Sequence, residues 1–127
     1  MSESWNPSVL AALSDAKEVE VTPIDADGTR CASRTIWSIG VGDELYIRSW
    51  KGRSAVWFMD ALGTGHGELE VTGGGASQLV TFEEVDAAAS VQTQISATFL
   101  TKYAADGYAD AMNEDASVAA TLRVLPR

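Results

Sequence analysis

The chain has 127 residues, 46% of them hydrophobic and 21% charged, a length and balance that suit one domain with one hydrophobic core. The net charge of −9 argues against a general nucleic-acid binder, and no apolar run approaches the ~18 residues of a membrane span. The single Cys31 allows neither an intrachain disulfide nor a CxxC zinc pair, and Met1-Ser2-Glu3-Ser4-Trp5 shows no export signal, so the expected location is the cytoplasm, with no membrane partner.

Pro7 after Ser4-Trp5-Asn6 marks a helix start, and Val9, Leu10 and Leu13 carry it as a short amphipathic helix to about Ala16, an N-terminal segment over residues 1–17. Glu18–Ile24 alternates charged and branched apolar residues, as a half-buried strand does, and Pro23 points to a sheet edge. Asp27-Gly28 is a hairpin turn signal. A strand is expected from about Ser33 to Val41, a turn at Gly42-Asp43, and a return strand from Glu44 to Ser49.

The period then changes. Ala55, Met59 and Leu62 fall on one helical stripe, with Ser54 placed to cap it and Gly63 to end it, and Met59 reads as core. Two strands follow, about Gly67–Thr72 and Ser77–Phe82. A long helix comes next, from about Asp86 to Ala105, with Val91, Ile95, Phe99 and Tyr103 on its buried face and Gly107 closing it. The acidic stretch 106–115 reads as a solvated connection, with Tyr103, Tyr108 and Met112 as candidate lid residues. The last strand is Val118–Leu125, stopped by Pro126. Six strands interrupted by helices imply a mainly antiparallel α+β barrel, one domain over residues 1–127.

Charge is unevenly spread. Residues 30–53 hold Arg30, Arg34, Arg48, Lys51 and Arg53 against Asp43 and Glu44, a net +3, which leaves −12 for the rest of the total of −9. Such an island suits one small anionic ligand, and it would equally suit surface ion pairs with the surplus carboxylates. Arg48, Ser49, Lys51, Arg53 and Ser54 gather where a strand ends, Gly52 turns the chain and a helix begins. That combination of charged donors, hydroxyls and free N–H groups is what a phosphate needs.

Other chemistry finds little support. His66 reads as an exposed turn histidine, and Gly63–Gly67 follows a helix and precedes a strand, the reverse of a dinucleotide fingerprint. Asp25-Ala26-Asp27-Gly28 is no calcium loop, because its glycine comes two positions early and Ile36 stands where the bidentate Glu belongs, so no metal site is expected. Trp37 and Trp57 read as packing or dimer-interface residues, while Trp5 and Trp50 could stack on a planar ligand.

Arg34-Thr35-Ile36-Trp37, Gly42-Asp43-Glu44-Leu45-Tyr46-Ile47-Arg48-Ser49, a basic Gly-containing turn and Trp57 together resemble domain-of-unknown-function family 2255. Thr81-Phe82-Glu83, Lys102-Tyr103 and Ala120–Arg127 resemble the same family's ending. That family is similar to the pyridoxamine-phosphate-oxidase-like and deazaflavin-dependent nitroreductase-like FMN-binding split barrels.

The resemblance implies a six-stranded, mainly antiparallel split β-barrel with flanking helices, in a homodimer with a cofactor groove at the interface. It implies FMN or a deazaflavin coenzyme, or no cofactor. Arg48, Ser49, Lys51, Arg53 and Ser54 would be at the phosphate, and Arg34, Thr35 and Ile36 at the ring. By period two, Arg34 and Ile36 share one face of their strand and Thr35 and Trp37 the other. The expected function is a flavin- or deazaflavin-dependent oxidoreductase acting on a small aromatic or conjugated substrate. A non-catalytic ligand-binding barrel is one alternative. Another is a cofactor-independent isomerase or cyclase that uses Arg34 and Tyr46 in the same groove.

Overall fold

The computed structural model of the chain describes residues 4–106 and 110–127. Seven strands form one antiparallel sheet: β1 (Val19–Pro23), β2 (Arg34–Ile36), β3 (Ser38–Val41), β4 (Glu44–Arg48), β5 (His66–Val71), β6 (Ser77–Glu84) and β7 (Thr121–Pro126). Their order is β2-β1-β5-β6-β7-β4-β3. The two end strands are consecutive in the chain with Trp37 alone between them, so the sheet curls into a nearly closed barrel with one seam. Helices α1 (Pro7–Asp15), α2 (Val56–Thr64), α3 (Val91–Lys102) and α4 (Asp115–Val118) flank this α+β split barrel. Among the described residues no helix is long and apolar enough to cross a membrane.

The seventh strand comes from dividing the expected strand Ser33–Val41. Val19 pairs with Ile36 on one side of Trp37, and Ser38 pairs with Ile47 on the other. Near-closure requires the chain to leave one sheet edge and join the opposite one, and alternation of side chains carries no mark of that bend. Ser38 pins it, donating Oγ to Leu13 O at 2.6 Å and accepting Lys102 at its carbonyl, while Trp37 stacks on Tyr103 at 3.9 Å between ring centroids.

Local signals set most element ends. Asn6 caps α1 by accepting from the Ser8 and Val9 amides. Gly28, at φ 89°, turns the chain between β1 and β2. β1 lies between β2 and β5, not at an edge, and Pro23 is tolerated because β2 pairs only with Val19–Val21. Helix α2 begins after a 3-10 turn, Gly52–Ser54, with no side-chain cap. Gly65 ends it at φ 70°, two residues beyond the expected Gly63. Asp86 opens a separate turn, holding the Ala88 amide with its side chain, so α3 starts at Val91. The expected terminator Gly107 and the candidate lid residue Tyr108 lie outside the described residues. Residues 115–118, read partly as loop and partly as strand, form α4. Pro126 is the last residue of β7, paired with Val80, so the strand ends one residue later than expected.

Two cores result. Val19, Val21, Leu45, Ile47, Leu69, Val80, Leu122 and Val124 fill the barrel, joined by Leu13 of α1 and by Trp57, Phe58 and Ala61 of α2. On the outer face Ile39 and Tyr46 pack against Ile95, Phe99 and Tyr103 of α3 and against Met112. Helix α2 is therefore rotated away from the expected stripe: Val56, Met59 and Leu62 are exposed.

At the C-terminal end of α3, Lys102 Nζ donates to the carbonyls of Ser14 and Ser38, and Tyr103 Oη donates to Lys17 O at 2.8 Å. Burial, partly offset by Asp15, lowers Lys102 to about 8, whereas burial pushes the Tyr103 phenol well above its ordinary range. The unfolded chain holds the lysine proton more tightly than the fold does, so stability should rise from about pH 8 toward the ordinary lysine pKa. Tyr103 acts oppositely, its contribution being lost as pH rises past the ordinary tyrosine pKa of about 10. Thermal melts of the native protein between pH 7 and 11 should therefore peak near pH ~10, and Lys102→Met should flatten the rise below it.

Candidate functional site

A groove of about 600 Å³ opens beside the seam of the barrel, within the roughly 300–1,000 Å³ usual for small-molecule sites. Four pieces of chain build it: Arg34–Trp37 at the strand break, Arg48–Lys51 at the end of β4, Ser54–Trp57 at the start of α2, and Met112. Seven of the eight expected site residues line it. The exception is Arg53, which pairs with Glu84 at 2.8 Å, donates to Ala119 O at 2.8 Å and lies over the Phe58 ring on the far side of the turn.

The basic island divides along the same boundary. Arg30 and Arg53 form ion pairs with Glu68 and Glu84, whereas Arg34, Arg48 and Lys51, the three that line the groove, have no carboxylate partner among the described residues. Surface pairing accounts for two of the five cations, and the groove holds the others.

These three are differently placed. Arg34 and Lys51 are exposed. Arg34 shares the side of β2 that bears Ile36, since Arg34 pairs with Val21 and Ile36 with Val19, but only Ile36 reaches the core. Thr35 points the other way and donates to the Glu20 carboxylate.

Arg48 is fully buried and turned inward. Nε donates to Thr121 Oγ1 (2.9 Å), one terminal nitrogen to Met112 O (3.1 Å) and Asn113 Oδ1 (3.0 Å), and the other to Gln92 Oε1 (2.6 Å). Phe99 lies 5.4 Å away beneath the guanidinium. Burial lowers its pKa to about 10, which leaves it charged at neutral pH. Every acceptor it meets here is neutral, so its positive charge stays uncompensated behind the groove wall.

Ser49 is also fully buried. The residue borders the groove, and among the described residues its enclosed Oγ has no hydrogen-bond partner. A buried hydroxyl left unpaired costs about 1–3 kcal/mol. Ser54 Oγ donates back to Lys51 O at 3.3 Å, closing the turn instead of capping α2. The uncapped, positive end of α2 thus faces the same space.

The groove has contributors that the sequence did not mark beside two, Trp50 and Met112, that it named as candidates. Trp37 and Trp57, expected as packing or dimer-interface residues, also line the groove; Trp50 lines it while 52% exposed. Met112 is buried in the groove wall, not part of a solvated connection. Gln92 carried a readable signal, a polar residue one turn before Ile95 on the buried face of α3, where only a buried polar partner would make it useful. Tyr46 lies on the outer face under α3, so the pairing of Arg34 with Tyr46 in one site does not occur. His66 begins β5 paired with Thr81, its Nδ1 3.0 Å from Thr64 O, instead of sitting in a turn. Trp5 packs against the barrel core.

A nearly closed antiparallel barrel with one seam, flanked by helices, defines the chain as a split β-barrel. The chain belongs to DUF2255, a family described as uncharacterized proteins conserved in bacteria, whose model matches residues 9–124. Solved structures share the fold. ChuZ of Campylobacter jejuni superimposes with a TM-score of 0.70 at 9% identity over 95% of this chain, which spans 52% of ChuZ. A proposed pyridoxamine 5'-phosphate oxidase from Listeria innocua gives 0.61 at 14% identity, covering 95% of this chain and 92% of its own. An F420 reductase gives 0.53 at 12% identity, covering 92% and 90%. No protein of curated function matches the chain by sequence.

Proposed function

We propose that the groove holds a phosphate-bearing flavin or deazaflavin cofactor, and that the protein is an oxidoreductase acting on a small aromatic or conjugated substrate. The observation that carries this reading is the groove wall itself, where the enclosed Ser49 hydroxyl is unpartnered and three cations lack carboxylates among the described residues. Lys51, Ser49, Ser54 and the first amides of α2 would take the phosphate; the Arg34 side chain and the backbone of Thr35 and Ile36 would meet the ring edge. Arg48 would act from behind the wall as fixed positive charge, and Arg53 as a brace outside. Such a cofactor supplies hydride chemistry, which is why no side-chain nucleophile is needed. An F420 reductase and a proposed pyridoxamine 5'-phosphate oxidase with this fold support the cofactor class.

The exposed stripe of Trp50, Val56, Met59 and Leu62 borders the groove and suits burial by a second copy of the chain. The dimer is therefore part of the proposal, and sedimentation of the native protein against Met59→Glu tests it.

Titration with FMN and with F420, followed by quenching of the groove tryptophans, tests the main claim. Lys51→Ala should weaken binding about tenfold and Arg53→Ala less than about twofold, since only the first faces the groove. A native protein that takes up neither cofactor ends the proposal. One that binds the reduced cofactor but passes no electrons from it to an added acceptor is a carrier.

A further inference from the structure

The turn that follows β4 does not stand alone. The Ser49 amide donates to Ala120 O at 3.0 Å, and Ser117 Oγ lies 3.2 Å from Trp50 O and 3.1 Å from Ala111 O. A Cβ on Gly52 would come within 3.3 Å of Ala116 O, and Arg53 donates to Ala119 O. Arg48, immediately before the turn, holds Met112 O and Asn113 Oδ1. Each residue from 48 to 53 except the exposed Lys51 is thus seated on the stretch 111–120.

We propose that Ser117, with Gly52 and Arg48, is a positioning residue: it clamps the turn Ser49–Ser54 to the segment 111–118, so that the phosphate-receiving turn and the Met112 wall of the groove form one mechanical unit. Ser117 is suited to the role. It is 1% exposed, touches no groove space itself, and its hydroxyl bridges the turn and the 3-10 stretch Asp110–Asn113. Gly52 is held at φ 75° against Ala116, where any side chain is strained by its backbone and crowded by a carbonyl. Donor geometry at an anion site tolerates little displacement, so a loosened clamp costs affinity without removing any residue that touches the ligand.

The experiment has two arms. In the first, amide hydrogen exchange compares the native protein with Ser117→Ala and with Gly52→Ala. Exchange at residues 50–55 and 111–118 should accelerate together, while the barrel strands keep their protection. Acceleration confined to 111–118, with the Gly52 and Ala55 amides as protected as before, overturns the inference. In the second arm, FMN and riboflavin, which lacks the phosphate, are titrated against the same proteins. FMN affinity should fall about fivefold in Ser117→Ala, and riboflavin affinity less than about twofold. Equal losses for both would show a general loosening of the fold and also overturn it. The affinity arm rests on the phosphate reading of the turn and the exchange arm does not, so a native protein that binds no FMN defeats the proposed function while the exchange arm still decides the clamp.

Discussion

Arg48→Met is expected to lower the stability of the fold by about 3 kcal/mol, read as a shift in the urea midpoint at constant slope. The methionine would fill much of the space left by the stem but supply no donor. Four acceptors on three separate pieces of chain would lose their partner: Gln92 Oε1 from α3, Thr121 Oγ1 from β7, and Met112 O with Asn113 Oδ1 from the segment between α3 and α4. Gln92 cannot simply turn its amide round, because its Nε2 already serves the carbonyls of Asp86 and Val118. Relief of the buried charge offsets part of the loss, which is why the expected value lies below a full sum of four bonds. Arg48→Lys keeps the charge but has no planar fork to reach all four acceptors, so it should recover only part of the stability. Arg53→Met, which removes an exposed pair, should cost no more than about 1 kcal/mol. If Arg48→Met and Arg53→Met unfold at the same urea concentration, the network contributes nothing that the surface pair does not.

Gly67→Ala should be nearly as damaging, at about 3 kcal/mol, the upper end of what one added core methyl costs. The reason is not backbone freedom, for Gly67 is not among the glycines at positive φ. It lies in β5 between Pro23 of β1 and Val80 of β6, and a Cβ there would fall 2.6 Å from Thr22 O and 2.8 Å from the Phe82 ring. The ring could swing aside; the carbonyl belongs to a paired strand and cannot move without pulling β1 from β5. Gly63→Ala, whose Cβ meets nothing within 4 Å, is the control and should be neutral or slightly stabilising, because the helix α2 gains a better helix former. Equal melting temperatures for the two variants would refute the close-approach account.

The sequence by itself determined the elements whose signals are local. Asn6-Pro7, Asp27-Gly28 and Gly42-Asp43 place a cap and two turns, and alternation through Glu44–Arg48 and Ser77–Phe82 marks strands, because each depends on neighbours a few residues away. The spacing of Ile95, Phe99 and Tyr103 gave the buried face of α3 for the same reason. The basic island was legible as charge, and seven of the eight residues that the family resemblance singled out border the groove.

Tertiary structure alone decided which cations of that island form surface ion pairs and which belong to the groove or its wall. Arg48 and Arg53 read alike in sequence, but one is enclosed by Gln92, Asn113 and Thr121 and the other lies against Glu84, partners 31 to 73 residues away. The bend at Trp37 was equally invisible, since side-chain alternation does not record which edge a strand pairs with. The exposed stripe of α2 went unseen because helical spacing marks an apolar face without saying whether this chain or another covers it. Local sequence sets conformation; the closing of the barrel sets which side chains meet, and the groove with its buried serine exists only once that has happened.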